Sequence, residues 1–142
     1  MNTVIFGASG PTGRLLVDQA IVAGHTVTAV MRNPQSIEGA TVVRGDVLDP
    51  EDVLAAVEGA DAVLSSLGVP FGRKPIDTYS RGTANIIAAM KEHGVRRLVL
   101  TSSSAADPSV RFKNSGGGAL LEVLKPLVIY GFHMIWFPYY ID

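Results

Sequence analysis

"FGASGPTGRLL", residues 6–16, joins an apolar strand to a helix, and its reading decides the fold. Glycine recurs at every third position, Gly7, Gly10 and Gly13, around Ser9, Pro11 and Thr12. A glycine in a helix costs about 1 kcal/mol relative to Ala, so three near a helix start need a compensating use. A strand that turns sharply at Gly7, a backbone that a ligand approaches closely at Gly10, and a helix packed tightly on its sheet at Gly13 are the three tasks of a dinucleotide-binding turn. The free N–H groups and the positive dipole end of the first helical turn would meet a pyrophosphate, with Ser9 and Thr12 adding hydroxyl donors. Pro11 is tolerated because the N–H it lacks would be unsatisfied there in any case. A tight turn alone could also use three glycines. The motif's place after the first strand, opening the first helix inside a unit of about thirty residues, favours the dinucleotide.

Outward from this turn, short apolar runs alternate with amphipathic stretches, the pattern of an α/β domain with a parallel sheet. The strands are read at residues 3–6, 25–32, 40–46, 61–68 and 96–104. The helices are read at 12–24, 49–59 and 77–94, each stopping on a glycine: Gly24, Gly59 and Gly94. In the first helix, Leu15, Leu16, Gln19, Ala20 and Ala23 fall at helical spacing and are expected to form its buried face. Asp49 is placed to cap the second helix, with Pro50 at its first position. The fold expected is a Rossmann-type doubly wound parallel sheet with helices on both faces.

The end of the second strand chooses between cofactors. An NAD site normally carries an Asp or Glu about twenty residues beyond the glycines, to bind the ribose hydroxyls. Here the chain reads "AVMRN": Val30 and Met31 stand where the carboxylate is expected, and Arg32 follows. A guanidinium there can fork onto a 2'-phosphate and stack on adenine, so NADP(H) is the expected cofactor. An Asp introduced at Met31 in addition to Arg32→Ala is expected to turn the preference toward NADH.

The chain's 142 residues are 47% hydrophobic and 18% charged, which suits one soluble globular domain over 1–142 with a substantial core. A net charge of -1 with scattered Lys and Arg argues against nucleic acid or an anionic membrane as partner. The lack of cysteine excludes disulfides, Cys-based zinc sites and thiol catalysis, while His25, His93 and His133 are too far apart to suggest a metal cluster. The N-terminal "MNTVIFG" has neither a basic region nor an apolar run of signal-peptide length, so a cytoplasmic protein is expected. Residues 119–137 are apolar but interrupted by Glu122, Lys125, Pro126 and His133, and are read as a soluble helix leading into an aromatic segment.

"GASGPTG", "MRNP", "GDVLDPEDVLAAVEGADAVLSSLG" and "GTANIIAAMKEHGVRRLVLTSSS", in this order and spacing, resemble the atypical short-chain dehydrogenase/reductases. The likeness is to the NAD(P)H-binding branch that includes biliverdin IXβ reductase/flavin reductase and the nitrogen-metabolite-repression regulators, and it spans about residues 2–108. It implies phosphate contacts from Gly7, Ser9, Gly10, Pro11, Thr12 and Gly13, and 2'-phosphate or adenine contact from Arg32. It implies further that Asp46 and Val47 hold the adenine, and that Leu67 and Gly68 pass beneath the ribose and nicotinamide. Read by itself, Asp46 equally suits a turn or a helix cap.

Two features depart from the wider family. Tyr79 is followed four places on by Thr83, and Tyr130 by Met134, so no Tyr-x-x-x-Lys pair can be assigned. The flavin-reductase branch also lacks that pair, and hydride delivery to a flavin can take its proton from solvent. Ser102 and Ser103 end the fifth strand, where ligands bind in such sheets; Ser102 is expected at the cofactor and Ser103 at the nicotinamide or substrate. The second departure is the atypical segment 109–142, which is shorter than the resemblance implies and ends in Tyr130, Phe132, Trp136, Phe137, Tyr139 and Tyr140. An oligomer contact through these aromatic residues is an expectation. The function expected is an NADPH-dependent reductase acting on a flavin, quinone or similar small conjugated acceptor. The alternatives are a non-catalytic NAD(P)-sensing regulator and, more weakly because of the missing Tyr–Lys pair, a sugar-nucleotide epimerase.

Overall fold

The computed structural model describes residues 1–69 and 77–101. All of these except Asp77 belong to one compact unit, Met1–Pro70 with Thr78–Thr101. The element order is β1 (Asn2–Phe6), α1 (Pro11–Val22), β2 (Thr26–Met31), β3 (Ala40–Arg44), α2 (Pro50–Val57), β4 (Ala62–Ser65), α3 (Thr78–Glu92) and β5 (Leu98–Leu100). The strands form one sheet in the order β3-β2-β1-β4-β5, every pair parallel. This is the Rossmann arrangement, with the strand order reversing between β1 and β4.

Successive side chains of a strand point to opposite faces, and here both faces are covered. Val4, Phe6, Val30 and Val63 pack with Val53 and Val57 of α2 and Ile86, Ala89 and Met90 of α3. Ile5, Val27, Ala29 and Met31 point the other way, onto Val17 and Ala20 of α1. That double burial is why the central strands read as continuous apolar runs rather than as alternation. Asn2 ties the start of β1 to the turn before β4: its N–H donates to Asp61 Oδ2 at 2.7 Å and its Nδ2 to the Gly59 carbonyl at 3.2 Å.

The helix ends follow local chemistry. Asp49 Oδ1 accepts from the Glu51 N–H at 2.9 Å, and Pro50 takes the first helical position. Gly24, at φ 77°, ends α1: its N–H donates to the Ile21 carbonyl at 2.9 Å and the His25 N–H to the Ala20 carbonyl at 3.0 Å. This is the Schellman closure, which needs a left-handed residue.

One expectation about α1 is corrected. Its buried residues are Gly13, Val17 and Ala20, whereas Leu15 is 60% exposed and Ala23 lies at the surface. Gly13 brings the helix close to the sheet, and a residue two places on is turned about 200° away, which puts Leu15 on the outside. The strand read at 61–68 is formed over Ala62–Ser65; the Ser66 N–H still donates to the Phe6 carbonyl at 3.0 Å, and Leu67 and Gly68 run on into the lining of a cleft. The segment 109–142, its aromatic residues, and Ser102 and Ser103 lie outside the described residues.

Thr3 is the exception within this core. It is 3% exposed, and its Oγ1 has no hydrogen-bond partner among the described residues. Desolvating a hydroxyl without a partner costs about 1–3 kcal/mol, and valine has the same branched shape. Thr3→Val is therefore expected to raise stability by about 1 kcal/mol, read as a higher urea midpoint at an unchanged slope. A lower midpoint would show that the hydroxyl is satisfied.

Candidate functional site

The carboxyl ends of β1, β2, β3 and β4 surround a cleft of about 470 Å³, placed at the reversal of strand order. Ligands of open α/β sheets bind at such a point. Gly7, Ser9, Gly10, Pro11 and Thr12 line one side, Arg32 the end of β2, Asp46 and Val47 the turn after β3, and Leu67 and Gly68 the exit of β4.

The three glycines have three different reasons. Gly7 has φ 80°, and a Cβ there would stand 2.5 Å from the Ser66 carbonyl oxygen, so only glycine lets β1 turn against the exit of β4. A Cβ on Gly13 would collide with the Gly7 carbonyl, so this glycine allows α1 to lie directly on the turn. Gly13 accordingly sits behind the cleft and does not line it. A Cβ on Gly10 would meet only the Gly7 carbonyl oxygen, at 3.4 Å. The space above Gly10 is open toward the cleft.

The backbone leaves donors free at this place. The Gly10 N–H closes the turn onto the Gly7 carbonyl at 3.1 Å, and the Arg14 N–H begins the helix on the Gly10 carbonyl at 2.9 Å. Between them Pro11 has no N–H, and the Thr12 and Gly13 N–H groups have no acceptor among the described residues. The Ser9 and Thr12 hydroxyls also have no partner there. The N-cap of α1 is Gly10, with no side-chain cap and no acidic residue in the first turn, whereas α2 has Asp49 as cap and Glu51 and Asp52 behind it. The positive end of α1, equivalent to about half a charge, is thus left uncompensated beside the cleft.

At the end of β2, Val30 and Met31 are each 3% exposed. Met31 packs in the core beneath α1, so a carboxylate introduced there would be buried among apolar side chains. Val30 and Met31 nonetheless also line the cleft. Arg32 is the first exposed residue after the strand, lines the cleft, and makes no ion pair or hydrogen bond among the described residues.

Asp46 forms the turn that its sequence suggests, since the Leu48 N–H donates to its Oδ1 at 3.0 Å. Its Oδ2 and the Val47 N–H remain without partners among the described residues. Leu67 is half-buried, and Gly68 is exposed with nothing within 4 Å of a Cβ placed on it. Several residues escaped the sequence reading, Ser66 and Leu48 among the lining, and four others bear polar side chains of particular interest. Thr78, at the start of α3, and Thr101, whose Oγ1 donates to the Ser65 carbonyl at 3.4 Å, line the cleft. Asp52 and Asn85 hold the Asp46–Val47 turn from behind, through bonds to the Asp46 N–H and the Val47 carbonyl. Position at an element's end could have flagged the two threonines, whereas nothing local marks Asp52 or Asn85. No group of three or more metal-ligating side chains occurs among the described residues, and no helix among them is long and apolar enough to cross a membrane.

Residues 7–126 match the family described as NAD(P)H-binding. The 2-alkyl-3-oxoalkanoate reductase of Stenotrophomonas maltophilia is 34% identical over 126 residues, covering 84% of this chain and 38% of that protein. The protein of the same name from Shewanella oneidensis is 37% identical over 131 residues, covering 85% and 32%. The chain thus spans about a third of the length of these curated relatives. Among solved structures, a uronate dehydrogenase from Agrobacterium tumefaciens, complexed with NAD, superposes with a TM-score of 0.65 at 20% identity, over 93% of this chain and 56% of that one.

Gly10 and Gly13 separate binding from folding. Gly10→Val has a permitted backbone, φ -78°, and room for its Cβ, so it is expected to stay folded and to lose NADPH binding by calorimetry. Gly13→Val is expected to lose several kcal/mol of stability, because its Cβ must displace backbone. Undiminished NADPH affinity in Gly10→Val would mean that the ligand does not lie over this turn.

Proposed function

The chain belongs to the NAD(P)H-binding family, and from that premise we propose that it binds NADPH along the cleft and acts as a reductase. Its acceptor would be a flavin, quinone or similar small conjugated molecule. The observation that carries the cofactor choice is Arg32, an exposed guanidinium without a partner among the described residues, at the strand end where NAD-binding sheets place a carboxylate. A 2'-phosphate offers it two parallel charge-assisted hydrogen bonds, and a ribose hydroxyl does not.

The residues present suit the whole cofactor. The open space over Gly10 and the free N–H groups of Thr12 and Gly13 fit a pyrophosphate, with the Ser9 and Thr12 hydroxyls beside it. Asp46 Oδ2 and the Val47 N–H fit the edge of adenine, and Leu67 and Gly68 would lie under the ribose and nicotinamide. When bound, the nicotinamide supplies a hydride. Hydride transfer to a flavin or quinone requires one proton besides, which solvent can provide, so the missing Tyr–Lys pair is no obstacle. We assign Ser102 to the cofactor's nicotinamide end and Ser103 to contact with nicotinamide or acceptor, from their place after β5.

The acceptor is tested by NADPH oxidation with flavin mononucleotide, a naphthoquinone and a 2-alkyl-3-oxoalkanoate, the last because two relatives are named for reducing it. Turnover with the first two and not the third is the expected result. Turnover with the oxoalkanoate alone would make the chain a ketone reductase, and tight binding without turnover would make it a sensor. For the cofactor, a charge-assisted hydrogen bond is worth about 1.5–3 kcal/mol, so Arg32→Ala should weaken NADPH by about ten- to a hundredfold and leave NADH nearly unchanged. Arg32→Asp should favour NADH outright. Equal weakening of both cofactors in Arg32→Ala would remove Arg32 from the 2'-phosphate site.

A further inference from the structure

The turn after β3 is held with unusual completeness. The Asp46 N–H donates to Asp52 Oδ2 at 2.9 Å, the Leu48 N–H to Asp46 Oδ1 at 3.0 Å, and the Asp49 N–H to the Asp46 carbonyl at 2.9 Å. Of the N–H groups from 46 to 49, that of Val47 alone has no partner among the described residues. Its carbonyl is taken: Asn85 Nδ2, on α3 and 38 positions away, donates to it at 2.9 Å. One turn earlier on the same helix, a Cβ on Gly82 would stand 2.9 Å from Val47 Cγ1, so the glycine admits the valine side chain.

The helix α3 therefore grips Val47 by both its side chain and its carbonyl. The Val47 N–H shares a planar peptide unit with the Asp46 carbonyl, which the Asp49 N–H holds at 2.9 Å, so with Val47 gripped from α3 both ends of this residue are fixed, next to an Asp46 whose Oδ2 has no partner among the described residues. An acceptor next to a donor matches the edge of adenine, where a 6-amino donor adjoins the N1 acceptor. Hypoxanthine reverses both groups, with a 6-oxo acceptor and an N1–H donor. Neither would find its complement, and each would face a like group.

We propose that Asn85 is a positioning residue that sets the base selectivity of the cleft. By fixing Val47, it holds the Asp46 Oδ2 and Val47 N–H pair in the register that accepts a 6-aminopurine and rejects a 6-oxopurine. This rests on the dinucleotide reading above and adds to it a determinant outside the lining of the cleft. A site built on paired hydrogen bonds discriminates strongly only while its groups stay in place, since a mismatched analogue leaves them unsatisfied.

The test is the ratio of dissociation constants for NADPH and its hypoxanthine analogue, by calorimetry on wild type, Asn85→Ala and Asn85→Asp. The aspartate is isosteric and removes the donor without leaving a cavity. Wild type should prefer NADPH by about tenfold or more. In both variants the preference should fall at least about fivefold, through weaker NADPH binding and little change for the analogue. A general loss of packing would weaken both ligands alike, so an unchanged ratio in the variants overturns the role given to Asn85. A wild-type ratio near one overturns it too, and leaves the dinucleotide reading intact. Binding of neither ligand by wild type would instead overturn that reading, and the role of Asn85 with it.

Discussion

The site depends on one close backbone contact, that of Gly13 on the carbonyl of Gly7. No side chain fits between them, so the first turn of α1 lies directly on the turn that ends β1. Two consequences follow. The first turn's free N–H groups are brought to the mouth of the cleft, and Gly10, between the two packed glycines, faces open space. Gly7 itself is pressed against the exit of β4 at Ser66, so the same contact sets the junction of β1 and β4, where the order of strands reverses. Packing at van der Waals contact admits little adjustment, which gives a floppy class of residue a rigid function here.

The electrostatics of the cleft come from what its helix start omits. Both α1 and α2 begin with proline, yet α2 is capped by Asp49 and followed by two acids, while α1 has a glycine cap and none. A capped, acid-rich terminus has its dipole answered by its own side chains. The terminus of α1 has nothing of its own to answer it. Together with Arg32, which has no partner among the described residues, it gives the cleft two separate attractions for negative charge.

The side of the cleft at Asp46 and Val47 is organised differently, by a helix that is remote in sequence. The tight packing of Gly82 on Val47, and the bond from Asn85 to its carbonyl, bind α3 to the turn after β3. The start of α3 at Thr78 lines the same cleft, so a single helix both lines it and holds the turn after β3. The core beneath reinforces this, because Val47, Ile86 and Val53 share one apolar cluster. A change in the placement of α3 would therefore be felt at Val47 directly.

The parallel sheet, the three helices and their glycine stops were legible in the sequence, because apolar period, N-caps and left-handed glycines are local properties of a few neighbouring residues. So was the position of the glycine turn and of Arg32, each following a strand and each lining the cleft. The residues that only tertiary structure could assign are those whose environment is set by register between distant elements. Leu15 reads as core and is outside, since Gly13 decides how α1 rolls onto the sheet. Met31 reads as the place of a carboxylate, and it packs with Val17 and Ala20 of α1 while still lining the cleft. Asn85 reads as one polar residue on a helix, and it holds Val47 only because the packing of α3 brings its amide within 2.9 Å of that carbonyl. Sequence alone determined which elements form and where a glycine turn joins β1 to α1. The tertiary structure decided which side chains face inward and which remote groups hold the site in register, because those contacts exist only once separate elements have packed.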